Sequence, residues 1–116
     1  MSRQISERDW KYFSRLRPVA LERFCGRVLG EVERVIARSE TGSHERYLEV
    51  YALTRRRDKE LAVAFNDPRR STALMQLLAI LSHGLLTDEE IAGFGDERRA
   101  FLEIFPPARC DGAADG

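Results

Sequence analysis

Histidine and cysteine are scarce in this chain: of its 116 residues, two are histidine and two are cysteine. His44 and His83 stand far apart, as do Cys25 and Cys110, so no spacing suits a metal ion. His44-Glu45-Arg46-Tyr47-Leu48 begins like the zinc-protease helix, but Leu48 occupies the place of its second histidine. No serine or cysteine neighbours a histidine in sequence, which removes the local signs of a nucleophile and its base. Gly93-Phe94-Gly95 has Arg98 where a dinucleotide fingerprint carries its third glycine, and no strand precedes it. Asp88-Glu89-Glu90 lacks the alternation of a calcium loop. The expectation is a chain without metal or cofactor and, on balance, without catalysis.

Long apolar runs are missing too. The longest, Ala73 to Leu81, contains Gln76 and is under half the roughly 20 residues that cross a bilayer. Met1 to Glu7 lacks the apolar core of a signal peptide. Cys25 lies in an apolar helical run and Cys110 in a polar tail. Two such unmatched thiols suit a reducing compartment, so the expected location is the cytoplasm, with no membrane partner. No stretch alternates with period two, which excludes strands, and no repeat is visible. The net charge is zero, so no global field announces a partner.

What is present is the material of helices. The chain is 43% apolar and 33% charged, with only four prolines and eight glycines, a balance that favours helices with charged outer faces. The spacing predicts an all-α fold: a compact array of five or six helices in one domain, residues 1–105, followed by a tail, 106–116. Ser6 caps the first helix, with Asp9 three residues on and Ile5 and Trp10 in staple positions. Trp10, Phe13 and Leu16 form its stripe, and Pro18 is expected to end or bend it. A second helix then runs from about Pro18 to Ser39 on Leu21, Phe24, Val28, Val32, Val35 and Ile36. After Thr41-Gly42-Ser43, the third runs from His44 to Phe65 along Tyr47, Val50, Tyr51, Leu61, Ala62 and Phe65. That line passes through Asp58, an acid that would need a partner if buried.

Asn66-Asp67-Pro68 predicts the start of a fourth helix, about 68–83, apolar nearly all round and therefore central. Gly84 suits the position past its end. Thr87 with Glu90 is a capping box opening a short fifth helix, and Asp96 caps a sixth over 97–104.

Charge is unevenly spread. Residues 1–72 hold sixteen basic and eleven acidic side chains, a balance of +5, while residues 73–116 hold three and eight, a balance of −5. The two halves are expected to attract each other within the fold. The sharpest feature is a basic cluster: Arg55, Arg56, Arg57 and Lys59 late on one helix, Arg69 and Arg70 at the start of the next. One reading pairs Asp58 and Asp67 with Arg69 and Arg70 as structural ion pairs. The other makes Arg55, Arg56, Lys59, Arg69 and Arg70 an anion or partner site. Function is therefore expected to be a small protein-interaction module, binding itself or another protein. A nucleic-acid-binding regulator using the basic cluster is the alternative, and a small enzyme the third reading.

Overall fold

Phe13, Leu16, Ala20 and Phe24 fall at steps of three, four and four, and that stripe runs straight through Pro18. All four are buried in one core cluster. A proline inside a helix costs about 3 kcal/mol. Breaking the helix there would turn one half of the stripe off the core, and each large apolar side chain buried contributes about 1.5–3 kcal/mol. Packing wins, and the ring of Pro18 faces outward.

In the computed structural model, which describes residues 5–95, the expected first and second helices are thus one: α1, Glu7–Ile36. α2 follows at Ser43–Phe65, α3 at Arg70–Ser82 and the short α4 at Asp88–Ala92. The all-α class stands, with no strand among the described residues. The count of five or six is corrected to four among them, because Pro18 does not divide α1. The expected helix over 97–104 and the tail 106–116 lie outside the described residues.

α1 and α2 form a long antiparallel hairpin, and α3 packs against both. Level positions are marked by Glu31 with Arg57 at 2.9 Å and Arg38 with Glu49 at 2.8 Å. Val35 and Leu53 are buried in the distal half, where the hairpin extends beyond α3. Across the proximal half lie Phe24 against Phe65, with centroids 6.2 Å apart, and the wholly buried Leu77, Ile80 and Leu81 of α3. The molecule is accordingly elongated, 53 × 30 × 22 Å.

The caps explain the joints. Ser6 accepts from the Asp9 backbone N–H at 3.1 Å, but Asp9 does not reach back. Its carboxylate, only 2% exposed, accepts from Gly95 N–H at 3.0 Å and from Arg8 at 2.8 Å. α3 begins two residues later than Pro68 predicts. Asp67 adopts a left-handed φ of 54°, and Arg69, not Asn66 or Asp67, is the capping residue. Gly84, at φ 65°, closes α3 as expected: its N–H bonds Leu81, while Leu85 N–H bonds Ile80. Thr87 and Glu90 form the reciprocal capping box of α4.

Candidate functional site: the two flanks of the hairpin

Arginines of α1 hold the chain that leaves α3. Arg23 forms a fork on Glu90, at 2.7 and 3.0 Å, and also donates to the Leu85 carbonyl at 2.7 Å. Arg27 donates to the carbonyls of His83 and Gly84, and Arg8 to that of Gly93. Tyr12 Oη donates to the Glu90 carbonyl at 2.7 Å. Burial pushes the Glu90 carboxyl up, but the hydrogen bonds from Arg23 and Thr87 outweigh it and the net shift is downward. Burial, with the Glu90 charge adding to it, raises the Tyr12 phenol. These contacts join the basic first part of the chain to the acidic second part.

Beyond α3, two polar clefts of about 690 and 740 Å³ open along one flank of the hairpin. Glu31 and Arg34 line both. Arg57 spans the floor of the first, bidentate to Glu31 at 2.9 Å and to Glu60 at 3.0 Å. The Arg57 hydrogen bonds hold the Glu31 carboxyl below the usual carboxylate range, and Glu31 raises the Arg57 guanidinium in return. Gly26 and Gly30 border the same cleft, and a side chain at either would meet nothing within 4 Å. Charges there are largely matched within the protein. Among the described residues, no three His, Cys, Asp or Glu side chains gather as around a metal ion.

The opposite flank is apolar. On α1 the stripe facing α2 runs through Phe24, Val28, Glu31 and Val35, and Cys25, Leu29, Val32 and Ile36 each follow it by one residue. On α2 Tyr47, Tyr51, Thr54 and Asp58 likewise follow Arg46, Val50, Leu53 and Arg57. One residue is a turn of about 100°, and in an antiparallel pair that advance brings both helices to the same side. Leu29, Ile36, Tyr47, Leu48 and Tyr51 are 48–66% exposed. Arg55 lies over the Tyr51 ring, 5.7 Å from its centroid.

The residues singled out from sequence are thereby distributed. Asp58 is exposed rather than on an inner stripe, and it forms no ion pair with Arg69 or Arg70. The inner position belongs to Arg57, one residue earlier. Asp67 does pair with Arg69, at 2.8 Å, in full exposure. Arg70 donates to the Ile5 carbonyl at 3.1 Å and approaches Glu7 at 3.7 Å. The Thr72 hydroxyl already takes the Arg69 N–H at the start of α3. Arg55 and Lys59 share an outer face of α2, Arg56 lines the second cleft, and about 9 Å of helix separates Lys59 from the end of α2. The five cations do not form one patch. His83 ends α3 with its ring edge-on to Phe24, 5.5 Å between centroids. His44 is exposed and Cys25 half-buried; Cys110 lies outside the described residues.

Sequence reasoning placed Arg57 only in the basic cluster and Asp9 only as a cap acid, and it missed the pairing of Arg23. The one available signal was Leu53, an aliphatic residue left off the expected line of α2, which marks the face that Arg57 shares. Comparison with known proteins finds no matching family model, no matching curated protein and no matching solved structure.

Proposed function

We propose that the chain is a protein-interaction module that docks another polypeptide on the apolar flank of its distal hairpin. The carrying observation is the exposure of Leu29, Ile36, Tyr47 and Tyr51 together, with Leu48 on the adjoining outer face of α2, on a part of the hairpin that α3 does not reach. Five such side chains make a patch on the order of 500 Å², of the size that marks interaction surfaces. Tyrosine presents a large apolar body at small entropic cost, and Arg55 adds a guanidinium beside it, which is the composition of interface anchors.

Recovery of both protein and nucleic acid on the tagged full-length chain from its source cell is the test. A polypeptide captured by the wild type and lost with Tyr47→Ser and Tyr51→Ser supports the reading. Capture unchanged by those substitutions removes it. The nucleic-acid alternative draws less support, because Arg69 and Arg70 already have partners and Arg55 and Arg56 face different ways. Its sign would be nucleic acid recovered at about 50 mM salt and lost with Arg55→Ala and Arg56→Ala.

A further inference from the structure

We infer that the occupant of the apolar flank is a second copy of this chain, related by a twofold axis parallel to the hairpin. The inference rests on the docking surface proposed above and adds its partner and register. Ile5 and Gly95, the limits of the described residues, both lie by the start of α1, Gly95 bonded to Asp9 at 3.0 Å, and about 30 Å of helix separates Asp9 from Leu29.

Charge points to a like partner. The rim of the flank on α1 is acidic, with exposed Glu22 and Glu33; that on α2 carries exposed Arg55 and Lys59, with exposed Asp58 on the flank itself between them. Glu33 has no ion pair among the described residues. A twofold axis along the hairpin sets α1 of each copy opposite α2 of the other at unchanged height. The pairs Glu31–Arg57 and Arg38–Glu49 place residue 33 level with residue 55. Glu33 of one copy therefore meets Arg55 of the other, twice by symmetry, across the Leu29, Ile36, Tyr47 and Tyr51 side chains. The interface is isologous and closes as a dimer. Two patches bury on the order of 1,000 Å² together, the lower limit for a specific contact.

Light scattering of the full-length chain on a sizing column, up to about 100 µM, tests this. The mass should rise from 13.3 kDa toward twice that value. Glu33→Arg and Arg55→Glu should each weaken the dimer about tenfold, and the two together should restore it. A mass fixed at 13.3 kDa overturns the inference, as does a double variant no better than the single ones. If the chain stays monomeric yet captures a different protein that Tyr47→Ser releases, this inference falls while the docking surface stands. All these positions are exposed, and an unchanged helical circular dichroism spectrum shows that each variant folds.

Discussion

Glu90 does two jobs with one carboxylate. It accepts from the Thr87 N–H at 2.8 Å to cap α4, and it receives the Arg23 fork. Removing its charge should cost about 1–3 kcal/mol, since hydrogen bonds to an ionised, partly buried group are the stronger kind. Urea unfolding of Glu90→Gln at pH 7 measures this. Glu31 and Glu90 are both held below the ordinary carboxylate value, about 4.3 when unfolded. Groups lowered in the fold add stability above that unfolded value and lose it as pH falls through the lower folded one. The unfolding midpoint should therefore hold between pH 7 and about 5 and drop below about 4.5, with a shallower acid limb in Glu90→Gln. These pairings were poorly legible in the sequence. An arginine and a glutamate sixty-seven residues apart carry no local sign of each other, and the charge split between the chain's two parts announced only that some attraction exists. Asp58 illustrates the opposite error. An apolar line drawn one residue off rotates the helix by about 100° and exchanges the inner Arg57 for an outer aspartate.

Local punctuation fixes elements more dependably than it divides them. The Thr87–Glu90 box and the left-handed Gly84 were readable because a cap is a contact between near neighbours. Pro18 misled because its cost is local while the gain that overrides it comes from α3 and α2. Pro18→Ala should then stabilise the fold by about 1–2 kcal/mol, restoring a helical hydrogen bond at an exposed site. Gly26→Ala and Gly30→Ala should each add about 0.5–1 kcal/mol, because both lie inside α1 with open space around the new methyl. Gly84→Ala should instead destabilise by about 1 kcal/mol, since an alanine at φ 65° is strained. Thermal unfolding of the four variants checks all the signs together. A Gly26→Ala protein less stable than the wild type would mean that something occupies the cleft beside it.

At the scale of the molecule, the described residues form a three-helix core in the proximal half and, in the distal half, a hairpin that α3 does not cover, with unlike flanks. The cleft flank satisfies most of its charges internally through Arg57, Glu31, Glu60, Arg38 and Glu49. The other flank leaves Tyr47, Tyr51, Leu29 and Ile36 in water. Hydroxyl-radical labelling of the full-length chain across a concentration series reads that flank directly. Tyr47 and Tyr51 should lose reactivity together as concentration rises. Met75, more exposed still on α3, and the half-buried Tyr12 should keep theirs. Tyr47 and Tyr51 labelling at a constant rate over the whole range, alongside an unchanged Met75, would contradict self-association through the apolar flank.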